Sequence, residues 1–194
     1  RTRCCRWTCP RETIRSLPVH GATCGWSARP GFLTEITEQN AMSTPQSRLA
    51  ALGIDLPTPA APVANYVACV QTGSLLVVSG QLPLHNGKLF ATGKLGGAVD
   101  VNTAVDAARY SMINVIAQVQ AAVGDLARVR RVVRLGGFIA CTPDFTAHAS
   151  VMNGASDLAV AVFGDAGRHA RSTVGVPSLP LDAPVEVEGL FEIA

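Results

Sequence analysis

Arg171 stands near the start of the segment HARSTVGVPSLP, residues 169–180, which otherwise has the pattern of a half-buried strand. Val174, Val176 and Leu179 are apolar, and small residues separate them. An arginine at the end of a strand is commonly a solvated edge charge. Its planar guanidinium also matches the two oxygens of a carboxylate, so the same residue can anchor an acidic ligand. Both interpretations stay open on the residues alone.

A second candidate for chemistry is the pair of carboxylates in the segment VEVEGLFEI, residues 185–193. Side chains alternate between the two faces of a strand, so Glu186 and Glu188 share one face. The simpler interpretation is a solvent-facing side with the valines buried behind it. The alternative is a carboxylate that exchanges protons with a bound ligand.

Three further residues are weaker candidates for a ligand site. Tyr66 is predicted on a short strand over 66–70, where such a ring is more often part of the core. Gly80 ends an apolar strand, and a glycine there lets the backbone approach a ligand closely. Asn153 lies on a predicted helix and is solvated by default.

Templates for other chemistries are absent from the sequence. It has no GxSxG nucleophile elbow, Walker loop, HExxH zinc motif or dinucleotide-binding fingerprint. The histidines that follow residue 42 have no metal-ligand spacing, and we predict neither a metal nor a cofactor. They are His85, His148 and His169.

Recognition of nucleic acid is weakly supported. A possible stacking platform for RNA has no interleaved basic stripe; its aromatic residues are Tyr66, Phe90 and Phe138. Strand alternation would place three of four clustered arginines on one face, which makes a modest basic patch. The four are Arg128, Arg130, Arg131 and Arg134.

The elements that must position these residues follow from the apolar pattern. Two early strands precede a helix over 101–123 capped by Asp100, and a strand over 128–142 follows, broken at Gly136-Gly137. A second helix over 145–163, capped by Asp144, comes before the last two strands. This order predicts an α+β fold with two helices on one face of a mixed sheet.

Composition divides the 194 residues into two parts. Residues 1–41 hold both tryptophans, four of the six cysteines and six of the sixteen basic residues, which leaves residues 42–194 with a formal net charge of −1. We expect 1–41 to be an unstructured leader or upstream sequence, because Met42 begins a typical protein start, and 42–194 to form one domain. The cysteine spacing in the leader does not fit a zinc site. Cys69 and Cys141 alone in the body suit a reducing cytoplasm, and no segment predicts a membrane span.

Four segments in order resemble the Rid family, the reactive intermediate deaminases also called YjgF-like or L-PSP proteins. They are SGQLPL at 79–84, the helix with Asn114, ARSTVGVPSLP at 170–180 and VEVEGLFEI at 185–193. The segment from 163 to 189 is similar to the longer subgroup described as YjgF-type endoribonuclease. The resemblance implies a chorismate-mutase-like α+β fold and a homotrimer with clefts between subunits.

The resemblance also implies roles for particular residues. Arg171 would clamp a substrate carboxylate, and Glu186 would position water and exchange protons with it. Tyr66, Gly80 and Asn153 would line the cleft. Thr173 replaces a frequent cysteine, which puts thiol-dependent behaviour in doubt. A structural salt bridge of Arg171 across the trimer is the alternative role for that residue.

The implied activity is hydrolysis of 2-imino acids, or their enamine tautomers, to 2-oxo acids and ammonia. Because free imines hydrolyse readily, positioning and modest acid–base help would suffice, without a cofactor. A binding or regulatory protein that senses a small carboxylate is the main alternative. RNA cleavage or translation inhibition is less favoured, because the body is near neutral and has no paired His or Lys acid–base set.

Overall fold

A mixed five-stranded sheet forms the centre of the computed structural model, which describes residues 44–59 and 65–194. The strands lie in the order β1-β2-β7-β5-β6, and only the β5–β6 pair is parallel. A separate hairpin consists of β3 and β4. The bounds are β1 Cys69–Thr72, β2 Leu75–Gln81, β3 Leu84–His85, β4 Lys88–Leu89, β5 Val129–Ala140, β6 Ala170–Val176 and β7 Val185–Ile193.

Three helices accompany the sheet: α1 Pro45–Ala51, α2 Val101–Val123 and α3 His148–Phe163. Helices α2 and α3 pack on the sheet, as the sequence predicted, whereas the additional α1 packs against α3. The start of α2 is fixed because Asp100 Oδ1 accepts a hydrogen bond of 3.0 Å from the backbone N–H of Thr103.

The core lies between the helices and one face of the sheet. Along β7, residues alternate strictly between buried and half-buried positions, so one side of the strand faces the helices. Fully buried side chains come from both layers: Leu76, Leu135, Ile139 and Phe191 from the strands, and Met112, Ile116, Met152 and Leu158 from the helices. The opposite face of the sheet is covered by no described element, and its apolar residues Leu75, Val77 and Val174 are exposed.

A two-residue turn connects β3 and β4. Asn86 and Gly87 adopt positive φ of 52° and 75°, which suits a two-residue turn between β3 and β4. The Asn114 side chain of α2 donates hydrogen bonds to the carbonyls of Leu82 (2.9 Å) and Leu84 (3.0 Å). Asn114 therefore pins this segment to the helix.

Three details of the predicted secondary structure were wrong. Tyr66 precedes β1, which begins at Cys69. Asp144 does not cap α3, because a turn closed by the hydrogen bond from Phe145 N–H to the Thr142 carbonyl (3.1 Å) delays the helix until His148. The two glycines of β5, Gly136-Gly137, do not interrupt its pairing with β7.

The two glycines of β5 instead leave room for side chains of neighbouring elements. A Cβ on Gly136 would overlap the Glu188 carboxylate, and one on Gly137 would lie 2.5 Å from Met152 Sδ of α3. The irregular pairing of β5 lies nearer its start, between Val129 and Arg134.

The predicted leader, residues 1–41, lies outside the described residues, so the division into leader and domain stays a prediction. In the described ranges, no helix has the length and apolarity needed to cross a membrane.

Candidate functional site

Arg171 lies on β6, the strand at the edge of the sheet, and its side chain reaches toward α3. Its Nη1 donates to Asn153 Oδ1 (3.0 Å) and Ser156 Oγ (3.1 Å), and its Nη2 donates to the carbonyl of Ala149 (3.3 Å). A guanidinium has five N–H donors. No other acceptor among the described residues contacts it, which leaves the Nε–H and one Nη2–H without a partner in that part of the chain. These two donors are free to hydrogen-bond to a carboxylate.

Ser156 and His169, which the sequence analysis did not select, extend the contacts of Arg171. Ser156 Oγ lies 3.0 Å from His169 Nε2, and His169 Nδ1 lies 2.6 Å from the carbonyl oxygen of Gly167. We call Arg171, Asn153, Ser156, His169 and Thr173 the anchor cluster. Thr173 belongs to it because it lies two residues after Arg171 on β6, hence on the same face. Its Oγ1 is buried without a hydrogen-bond partner in the described part of the chain.

Glu186 lies on the opposite, uncovered face of the sheet. Its carboxylate occupies the space next to Gly80, where a Cβ would overlap Glu186 Oε1. A register shift in β2 between Val78 and Gln81 brings this glycine to the carboxylate. Burial raises the pKa of Glu186, and the negative charge of Glu188 adds to this rise. Glu188 itself forms an ion pair of 3.1 Å with Arg134.

Tyr66 directly precedes a segment that is hydrogen-bonded to the end of β2. Ser79 donates from its N–H to the Ala68 carbonyl and from its Oγ to the Val67 carbonyl, both at 2.9 Å. These bonds hold the segment after Tyr66 beside the end of β2. The Tyr66 side chain is half exposed. We call Gly80 and Glu186 the carboxylate cluster, and the place of Tyr66 in the cleft stays a prediction.

Strand register separates the two clusters within one chain. On β5, Leu135 pairs with Arg171 of β6, whereas Phe138 pairs with Glu186 of β7. Leu135 is fully buried toward the helices, and Phe138 lies an odd number of residues further along the strand, so it points to the other face. The structure therefore brings Arg171 to Asn153, and Glu186 to Gly80, but places Arg171 and Glu186 on opposite faces.

Two clefts on the described surface contain none of the six predicted site residues. The larger, of about 690 Å³, lies between the end of α1 and the β3–β4 hairpin. The smaller, of about 580 Å³, contains Cys141 and His148, whose Sγ and Nε2 lie 3.5 Å apart. Within the described ranges, no three His, Cys, Asp or Glu side chains are grouped to hold a metal ion.

The fold removes one arginine from the predicted basic patch and separates two rings of the predicted aromatic platform. Arg128 belongs to a 3-10 helix rather than β5, and it donates to the carbonyls of Val123 (3.0 Å) and Ala194 (2.7 Å). Phe90 packs against Tyr110, with ring centroids 4.7 Å apart, in the larger cleft. Phe138 instead lies on the uncovered sheet face.

Comparison with known proteins identifies the family. A family model described as YjgF/chorismate mutase-like, putative endoribonuclease, matches residues 46–192. The chain belongs to the YjgF family. Protein TCP17 of Trypanosoma cruzi is 49% identical over 148 residues, which cover 76% of this chain and 92% of that protein. These findings confirm the resemblance drawn from the sequence.

Solved structures confirm the YjgF fold. Atu1372 of Agrobacterium tumefaciens, a protein of unknown function, is 44% identical with a TM-score of 0.74, over 83% of this chain and 99% of that one. TdcF of E. coli, solved with bound serine, is 27% identical with a TM-score of 0.53, over 71% of this chain and 94% of that one. The predicted chorismate-mutase-like architecture is therefore correct.

Proposed function

We propose that this protein hydrolyses 2-imino acids to 2-oxo acids and ammonia, in clefts where the anchor cluster of one subunit faces the carboxylate cluster of another. The observation that carries the proposal is the two N–H donors, Nε–H and one Nη2–H, left on Arg171 after α3 has bound the rest of its guanidinium. A substrate carboxylate would take this pair, which fixes the adjacent imine carbon.

Glu186 would act as the general base. Its carboxylate takes a proton from a water molecule while the water oxygen bonds to the imine carbon, and the C=N electron pair moves to nitrogen, which takes up a proton. Glu186 then takes the hydroxyl proton of the carbinolamine and gives a proton to the amino nitrogen, so the C=O bond forms as the C–N bond breaks and ammonia leaves. The Gly80 carbonyl accepts a hydrogen bond of 3.1 Å from Gln81 Nε2 and keeps a second lone pair that would orient the water, and Thr173 would line the cleft beside Arg171. These steps use acid–base groups of the chain itself.

Self-association would bring the two clusters together. The uncovered sheet face presents Val70, Val77 and Val174 with 52%, 46% and 49% of their surface exposed, and Glu186 lies on this same face. A second subunit packed there would bury apolar surface. We propose a homotrimer, in which each subunit gives one cluster to each of two clefts.

A competition assay tests the proposed activity. An amino-acid oxidase generates 2-imino acids in the presence of semicarbazide, and the protein is expected to divert them from trapping. Arg171→Ala should lower this diversion by roughly 100-fold, because substrate positioning is lost. Arg168→Ala is the matched control, since Arg168 contacts only an exposed Asp165 among the described residues. Equal rates for wild type and Arg171→Ala would reject the proposal.

A non-catalytic binding protein is the second candidate, and the serine complex of TdcF favours it. In that case the same clusters would hold a small carboxylate such as 2-oxobutyrate without imine turnover. Titration calorimetry with 2-oxobutyrate that shows binding, together with no diversion of imines, would select this candidate.

A further inference from the structure

We propose that Ser156 and His169 are positioning residues, which hold the Arg171 guanidinium so that its Nε edge faces the ligand. This inference rests on the proposed function of Arg171 as a carboxylate anchor. Neither residue would touch the substrate; both would act through Arg171.

The hydrogen bond to Gly167 identifies which ring nitrogen of His169 carries the hydrogen. A carbonyl oxygen only accepts hydrogen bonds, so His169 Nδ1, at 2.6 Å, must donate. In the neutral ring, Nε2 then has no hydrogen and accepts one from the Ser156 hydroxyl at 3.0 Å. With its hydrogen committed, Ser156 Oγ presents its lone pairs to Arg171 Nη1 at 3.1 Å. The four groups thus form a directed chain from Arg171 to the Gly167 carbonyl.

The fold fixes both ends of this hydrogen-bonded chain. Ser156 follows Asn153 by three residues on α3, so both side chains point from one face of the helix to Arg171. Gly167 ends the 3-10 helix Gly164–Gly167, which packs so closely on α3 that a Cβ at this position would overlap the Ala159 carbonyl. His169 therefore hydrogen-bonds to a backbone that is itself packed on the helix.

The hydrogen-bonded chain from Arg171 to Gly167 determines which donors of Arg171 remain for a ligand. Ser156 and Asn153 together take both Nη1 hydrogens, so Nη1 cannot compete for the carboxylate. Without Ser156, the guanidinium would be held by one side chain and one carbonyl and could rotate. Binding would then have to order this group, at a cost in affinity.

Steady-state kinetics of imine hydrolysis test the effect on the anchor. Ser156→Ala is expected to raise KM about tenfold with kcat within about twofold, because the lost contact positions the carboxylate group rather than the reacting carbon. His169→Leu should do the same, and His169→Gln, whose amide oxygen can accept from the Ser156 hydroxyl, should recover part of the loss. Ser150→Ala, at an exposed serine of the same helix, is the matched control.

Nitrogen-15 NMR of the ligand-free protein separates this inference from the proposed function. The His169 spectrum should show the Nδ1–H form, and Ser156→Ala should shift its Nε2 resonance. An Nε2–H form would overturn the inference whether or not the protein is active. So would a wild-type KM in Ser156→Ala and His169→Leu. If wild type neither hydrolyses imines nor binds 2-oxobutyrate, but the Nδ1–H form and its shift are seen, the proposed function fails while the hydrogen-bonded chain to Arg171 stands.

Discussion

Glu186 is a half-buried carboxyl with a second carboxyl, Glu188, on the same face of the same strand. Burial and this like charge raise its pKa, so it becomes protonated at a higher pH than an exposed glutamate would. A general base works only as the carboxylate. We therefore expect kcat/KM for imine hydrolysis to fall on the acid side as Glu186 takes up its proton, and Glu186→Gln to lower kcat by about 100-fold.

Whether Glu188 raises the pKa of Glu186 can be tested separately. Glu188→Gln removes the neighbouring negative charge and frees the cation of Arg134, and both changes favour ionised Glu186. The acid limb should move to lower pH, so the variant keeps a larger share of its neutral-pH activity at about pH 5. Glu192→Gln, further along the same face of β7, is the control. A limb that moves to higher pH would contradict the assignment of Glu186 as the base.

Where α2 and α3 cross, the contact between the helices decides whether a substitution stabilises or destabilises the protein. Gly154 on α3 lies so near α2 that a Cβ would overlap the Val105 carbonyl oxygen. Helix propensity alone predicts that Gly154→Ala stabilises the protein by about 1 kcal/mol. Because the obstacle is backbone, we instead expect the free energy of unfolding to fall by about 1–3 kcal/mol.

Urea unfolding at one protein concentration measures this difference. Ala161→Gly, at an exposed position of α3, calibrates the propensity contribution and should cost about 1 kcal/mol. Stabilisation by Gly154→Ala would mean that α2 and α3 can separate without loss of core packing.

Sequence periodicity predicted the elements well because β7 and α2 each have one clearly apolar side. Periodicity failed where a residue is needed for a contact with an element that is distant in the sequence. Gly136-Gly137 suggested a break in β5, whereas these glycines admit Glu188 and Met152 from other elements. The helix α1 was missed, although Thr44 accepts a capping hydrogen bond from Ser47 N–H and Pro45 follows it.

The candidate site was only partly visible in the sequence. Arg171 and Glu186 stood out as charges in strands, and the family resemblance assigned their roles. Ser156 and His169 are thirteen residues apart and lie in a helix and a loop, so nothing in the sequence pairs them. The three-residue spacing of Ser156 from Asn153 was the available signal, since it places both on one helix face.

The arrangement of the whole molecule follows from strand register. Arg171 and Glu186 flank β5 but project from opposite faces of the sheet, so one chain cannot direct both at one substrate. The proposed cleft between subunits would resolve this, because the anchor cluster of one copy could then face the carboxylate cluster of the next. This geometry predicts that defective copies can complement each other.

Co-expression of Arg171→Ala and Glu186→Gln subunits tests the shared cleft. In randomly mixed oligomers, a cleft is intact when the Glu186→Gln subunit supplies Arg171 and the Arg171→Ala subunit supplies Glu186. About a quarter of the clefts meet this condition, so about a quarter of wild-type activity should return although each variant alone is inactive. Co-expressing each variant with a second copy of itself is the control. If both residues served one substrate within a single chain, every cleft would contain a defect, and the mixture would be as inactive as its parts.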